Sequence, residues 1–192
     1  MWSGKDSEML IKKILRNIIW RFKNKKAPVL TYMEQCRARG VKIGENVDLV
    51  NAEIDYCFGH LISIGNNVTI TNSVILAHDA STKKALGYSK VGCVDIGSDV
   101  FIGYGSIILP NVKIGNKVVI GAGTVVPKDV PDNVVVAGNP CRVICTYDAY
   151  MESMKNNMQK KPVSHTLFSE KSEEEWEDFY TAVKISGGGY DL

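Results

Sequence analysis

The chain has 192 residues, 45% of them hydrophobic and 23% charged, enough for one sizeable core and ordinary for a soluble globular protein. A formal net charge of +2 argues for neither a nucleic-acid binder nor a polyanionic tail, and no stretch reaches the roughly 18 apolar residues that would span a bilayer. The five cysteines, Cys36, Cys57, Cys93, Cys141 and Cys145, form no CxxC pair, and their odd number fits poorly with a disulfide framework, so a reducing, cytoplasmic setting is expected.

The first element is basic. Residues 1–26 hold eight Lys or Arg against two acids, and from Glu8 to Phe22 the apolar residues Leu10, Ile11, Ile14, Leu15, Ile18, Ile19 and Phe22 recur at helical spacing, with Lys12, Lys13 and Arg16 opposite. Cations interleaved with apolar positions lack the order of a signal peptide. The spacing predicts a basic amphipathic helix within an N-terminal segment 1–40. It either packs on the rest of the protein or lies weakly on a membrane surface.

A period of six follows. From Ile96 the chain reads IGSDVF, IGYGSI, ILPNVK, IGNKVV, IGAGTV and VPKDVP; a second run, IGNNVT, ITNSVI, LAHDAS, starts at Ile64, and a weaker one, IGENVD, LVNAEI, at Ile43. Six matches neither the 3.6 of an α-helix nor one alternating amphipathic strand, but it does suit a chain that turns a corner every six residues. Three hexads then make one triangular coil, with position one and position five (Val68, Val74, Val100, Ser106, Val112, Val118, Thr124) facing inward. Stacked coils satisfy each other's backbone groups. The expected fold is an all-β core, a parallel β-helix over 41–146 with helical N- and C-terminal flanks.

Two segments break the rhythm. EIDYCFGH, from Glu53 to His60, is aromatic and polar where a buried hexad is aliphatic, and is expected to bulge outward. Residues 81–95, STKKALGYSKVGCVD, read as an extruded loop, the kind of segment on a rigid scaffold where function tends to sit. After the coil, residues 147–192 form an acidic helical extension with nine acids against five Lys. One short helix is expected from Tyr147 to Gln159, and another beginning at Ser172, where Ser172 and Glu175 fit a capping box.

The segment Phe101 to Ile144, FIGYGSIILPNVKIGNKVVIGAGTVVPKDVPDNVVVAGNPCRVI, closely resembles the C-terminal signature of the hexapeptide-repeat O-acetyltransferases, of the maltose and galactoside type or the capsular and lipopolysaccharide sugar type. The resemblance covers about residues 41–146. It implies a left-handed coil, an exception to the usual right-handed crossover, a homotrimer with sites between subunits, acetyl-CoA as co-substrate and no metal. By position in the repeat it implies His78 as the general base, since a sugar hydroxyl is a weak nucleophile and an imidazole can take its proton as it attacks the thioester. The alternative for His78 is a loop histidine satisfied by a backbone group. Asp79 is a candidate to orient the ring or to touch the acceptor.

For acetyl-CoA the resemblance implicates Gly103, Tyr104, Ala122, Lys128 and Arg142; the two cations suit the phosphates, whereas tight corners alone would also explain the small residues. Pro127 stands where many relatives have Thr. Acceptor contacts fall to Asp55, as a hydroxyl partner, to Tyr56 or Phe58, as a ring platform, and to His60; surface packing is the alternative for each. Sugar O-acetylation stands first, with N-acetylation of an amino sugar or acetylation of an antibiotic behind it. Two further readings are a non-enzymatic β-helix scaffold and a γ-carbonic-anhydrase-like zinc enzyme, for which the three histidines His60, His78 and His165 would have to converge. No basic patch with interleaved aromatics indicates nucleic acid.

Overall fold

The computed structural model describes residues 30–192. The chain divides into two compact units, Met1–Glu34 and Gln35–Leu192, the second holding both the coil and residues 147–192. The predicted helix Glu8 to Phe22 lies outside the described residues.

Helix α1 (Tyr32–Ala38) leads into a prism with three faces. The first face carries β1 (Lys42–Ile43), β4 (Ile62–Ile64), β9 (Val94–Ile96) and β12 (Val112–Ile114). The second carries β2 (Val47–Val50), β5 (Val68–Thr71), β10 (Val100–Ile102), β13 (Val118–Ile120) and β15 (Val134–Ala137), and the third β3 (Glu53–Ile54), β6 (Val74–Ile75), β11 (Ile107–Ile108) and β14 (Val125–Val126). All of these neighbours pair in parallel, in register, one coil apart. Stacked in this way, the three faces make a parallel β-helix.

Alternation dictates the core. In β9, β10 and β12 the outer residues of each triplet are buried and the middle one exposed, as a period-two strand requires. Ile70, Ile102 and Ile120 stack directly over one another, as do Ile75, Ile108 and Val126, with essentially no solvent exposure. Each such side chain contributes about 1.5–3 kcal/mol by burial. At the edge between the first and second faces the chain turns through residues of positive φ, Asn46, Asn67 and Asp99 among them. Their side chains form a ladder: Asn46 Nδ2 donates to Asn67 Oδ1 and Asn67 Nδ2 to Asp99 Oδ1, each at 3.0 Å. Asn and Asp tolerate that backbone region better than other residues with a Cβ.

The hexad reading slips at one edge. Val74 was expected to face inward and Leu76 to open the next hexad, yet Ile75 is fully buried against Ile108 while Val74 and Leu76 are only half-buried. The edge between the second and third faces takes four steps in the second coil, from Ile70 to Val74, but five in the third, from Ile102 to Ile107, and five in the fourth, from Ile120 to Val125. The later corners are therefore one residue wider.

The excursion near 81–95 starts earlier than expected, at His78 itself, and is a hairpin of β7 (His78–Asp79) and β8 (Lys90–Val91) enclosing the short helix α2 (Lys83–Leu86). Asp95, placed in the loop by sequence, already belongs to β9. Past the coil, β16 (Arg142–Thr146) returns antiparallel along β15, with a register shift at Val135/Val136. Helix α3 (Tyr147–Met158) and helix α4 (Glu173–Ser186) follow, α4 opening on the predicted Ser172–Glu175 capping box. Among the described residues no helix is long and apolar enough to cross a membrane.

Candidate active site

His78 lies where the third face returns to the first, an edge that each coil passes once. In the first coil this edge is the segment 55–61, in the second the start of the hairpin, in the third Leu109–Asn111 and in the fourth Pro127–Asp129. Because β3 and β6 pair Ile54 with Ile75, the residues just after them meet as well.

Asp55 is the partner of His78. Its Oδ2 accepts from His78 Nδ1 at 2.5 Å and from the Ala77 amide at 2.9 Å, and its Oδ1 accepts from the amides of Cys57 at 3.0 Å and Phe58 at 3.1 Å. Burial alone would push this carboxyl up; the bonds from His78, Ala77, Phe58 and Cys57 outweigh that and hold it below the usual Asp value. A carboxylate only accepts, so Nδ1 carries the proton and Nε2 is the basic nitrogen. The imidazole is 31% exposed, the Asp55 side chain 0%.

This overturns the reading of Asp55 as a partner for sugar hydroxyls: the residue is 5% exposed and both its oxygens are engaged within the protein. Nor is Asp79 the group that orients the ring. Its carboxylate binds Lys90 Nζ at 2.6 Å across the hairpin and the Ser81 amide at 2.8 Å, and those bonds hold it well below the usual Asp range. It fastens the base of the hairpin on which His78 sits.

Phe58 packs on the imidazole, ring centroids 5.0 Å apart and tilted by 42°, and His60 lies 6.3 Å from Phe58 on the other side. Tyr56 is 77% exposed beneath the Arg39 guanidinium, 4.9 Å from its ring. Phe58, with His60 next to it, thus forms an aromatic rim beside His78, contributed by the first coil. His165 sits apart, between α3 and α4.

The remaining candidates separate onto two edges. Lys128 is exposed on the same edge as His78, two coils further on. Gly103, Tyr104 and Ala122 occupy the wider edge between the second and third faces, and Arg142 follows the turn that ends beside it, where the Cys141 amide donates to the Val125 carbonyl. Arg142 Nη1 donates to the Cys141 carbonyl at 3.3 Å. His78 and the pair Tyr104 and Ala122 therefore lie on different edges of the prism.

The sequence-level reading missed Asp55 as the histidine's partner because 23 residues separate the two. The usable signal was register: aligning Glu53-Ile54 with Val74-Ile75 places Asp55 at the foot of the segment that carries His78.

Residues 94–128 match the model of the bacterial transferase hexapeptide family, six repeats. Protein CapG of Staphylococcus aureus is 43% identical over 132 residues, 65% of this chain and 76% of that protein. The galactoside O-acetyltransferase of Lactococcus lactis is 40% identical over 104 residues, 54% of this chain and 49% of the relative. The hexapeptide-repeat containing acetyltransferase VCA0836 from Vibrio cholerae, 21% identical with a TM-score of 0.50 over 70% of this chain and 92% of that one, shares the fold. The chain belongs to the hexapeptide-repeat transferase family. It spans about half to three fifths of the length of the first curated relatives.

Proposed function

We propose that the protein transfers the acetyl group of acetyl-CoA to a hydroxyl of a sugar or polysaccharide precursor, with His78 as general base and no covalent enzyme intermediate. The observation that carries this reading is the Asp55–His78 pair: a buried carboxylate fixes the tautomer in which Nε2 is free to accept a proton, beside an aromatic rim suited to a pyranose ring. The acceptor hydroxyl gives its proton to His78 Nε2 as its oxygen bonds to the thioester carbonyl carbon. The C–S bond then breaks, and the CoA sulfur leaves with the proton from the imidazolium. Asp55 stabilises the transient positive charge and is not itself protonated. A named galactoside O-acetyltransferase among the relatives supports a sugar acceptor.

The donor lies along the wide edge at Gly103, Tyr104 and Ala122, with Lys128 and Arg142 as cationic partners for its phosphates. Since this edge and the His78 edge diverge within one prism, a complete site takes them from two neighbouring subunits, and the working form is a homotrimer of three equivalent clefts. A cytoplasmic location follows from the use of acetyl-CoA. The direct test is a screen of neutral, acidic and amino sugars with acetyl-CoA, following release of free thiol. His78→Ala should lower transfer to whichever hydroxyl acceptor wild type uses by about 10²–10⁴-fold; equal transfer by the variant would refute the mechanism.

A further inference from the structure

Three hydroxyl side chains sit inside an otherwise aliphatic prism. Ser73, Ser106 and Thr124 are 1%, 0% and 0% exposed, in the second, third and fourth coils on the wide edge, where the first coil has the buried Ala52. Burying a hydroxyl is unfavourable unless it is hydrogen-bonded, and each of these is. Ser73 Oγ lies 2.8 Å from the carbonyls of both Gly103 and Thr71, which share its one proton, and it accepts from the Ser106 amide at 3.1 Å. Ser106 Oγ donates to the carbonyl of Gly121 at 3.0 Å and accepts from the Thr124 amide at 3.3 Å. Thr124 Oγ1 also donates to Gly121, at 2.6 Å, and accepts from the Gly138 amide at 3.2 Å.

The two carbonyls so held belong to the peptide units that enter Tyr104 and Ala122. Both units are trans; the cis bond among the described residues is Asn139–Pro140. In a planar trans peptide the N–H points opposite to the C=O. Drawing the Gly103 carbonyl inward therefore turns the Tyr104 N–H outward, and drawing the Gly121 carbonyl inward does the same for Ala122. These amides lie at exposed positions in consecutive coils, about 4.8 Å apart by the strand spacing. Gly103 keeps the space between them open: a Cβ there would come within 2.7 Å of the Ala122 nitrogen. The first and second coils, one residue shorter at this edge, have no equivalent of Tyr104 or Ala122.

We infer that the buried Ser73–Ser106–Thr124 ladder is a positioning device for the acyl donor: by locking two peptide units it aims the Tyr104 and Ala122 amides at the amide carbonyls of an extended, amide-bearing thiol arm. The inference rests on the proposed acetyl-CoA-dependent reading and names residues that act on the donor only through the backbone. An extended arm with two amides offers acceptors at a spacing close to that of the two donors, and donors fixed before binding lose little freedom on binding.

The test compares two acetyl donors. Thr124→Val is nearly isosteric, and Ser73→Ala removes the bond to Gly103 independently. Thermal melting shows which variants stay folded. Steady-state kinetics are then run with acetyl-CoA and with S-ethyl thioacetate, which carries no amide. The ladder predicts a rise of roughly fivefold or more in KM for acetyl-CoA, consistent with a hydrogen bond misaligned. It also predicts kcat at saturation and turnover of S-ethyl thioacetate close to wild type, with recovery in Thr124→Ser. An unchanged KM for acetyl-CoA in both folded variants, or a parallel loss with both donors, overturns the inference while leaving the transferase reading intact. Wild-type protein that turns over neither donor overturns both.

Discussion

His78 Nδ1 and Asp55 Oδ2 are 2.5 Å apart although 23 residues separate them, because consecutive coils bring the same prism edge back to the same place. Removing the imidazole as base should cost transfer a factor of about 10²–10⁴. In His78→Ala the acetyl-CoA dissociation constant should stay near wild type, which isothermal titration measures, because the proposed donor site runs along the other edge.

Asp55→Asn is expected to lower kcat by a comparable factor, since a side-chain amide no longer enforces one tautomer. Stability follows the carboxylate. Its folded value lies below the unfolded one of about 3.9, so the ionised group contributes fully above that pH and the contribution is lost as acid takes the pH down through the folded value. The stabilisation in Tm that wild type has over Asp55→Asn should therefore be present at about pH 5 and above and be lost only below about pH 4. A gap that closes nearer neutrality would contradict the assignment.

Truncating the core stack gives a different signature. Ile102, fully buried between Ile70 and Ile120, should cost about 2–5 kcal/mol as Ile102→Ala and about 0.5–1.5 kcal/mol as Ile102→Val. Urea denaturation with an unchanged slope is the check.

Two glycines two positions apart should behave differently. A methyl at Gly103 runs into the backbone of the next coil, so Gly103→Ala should raise KM for acetyl-CoA and lower Tm together. Gly105 has φ +72 with nothing within 4 Å of an added Cβ, so Gly105→Ala should cost only the strain of a left-handed backbone, roughly 1–2 kcal/mol.

Subunit complementation tests the shared cleft. His78→Ala and Gly103→Leu are each expected to be severely impaired, but in the proposed homotrimer a mixture would contain some clefts built from an intact His78 edge and an intact Gly103 edge. Co-expression should restore part of the activity. A mixture as inactive as its components would place both edges' contributions within one chain.

The stacked strands were legible in the sequence because inward aliphatics recur at a fixed spacing, and both C-terminal helices were legible from caps and apolar spacing. The slip at Ser73–Val74 was not, since Val74 and Ile75 are equally apolar and only pairing with Ile107 and Ile108 decides which turns inward. His78 was singled out through family resemblance; Asp55 was noticed for the wrong contact. Its exposed-looking neighbours, Tyr56 and Phe58, suggested solvent, whereas the turn folds the carboxylate back onto the Ala77 amide. Such a reversal depends on side-chain direction at a corner, which no periodic pattern records.

The reversal of β16 along β15 has a wider consequence. A stack of parallel coils ends in a row of backbone donors and acceptors that invites further strands, the property that lets cross-β fibrils elongate. By folding its last strand back along β15, the chain occupies that row on the second face with its own polypeptide, while Tyr147 and Met151 of α3 lie against Thr69, Phe101 and Val119 of the same face. Addition of a further strand to β15 is thereby blocked on this face of the prism.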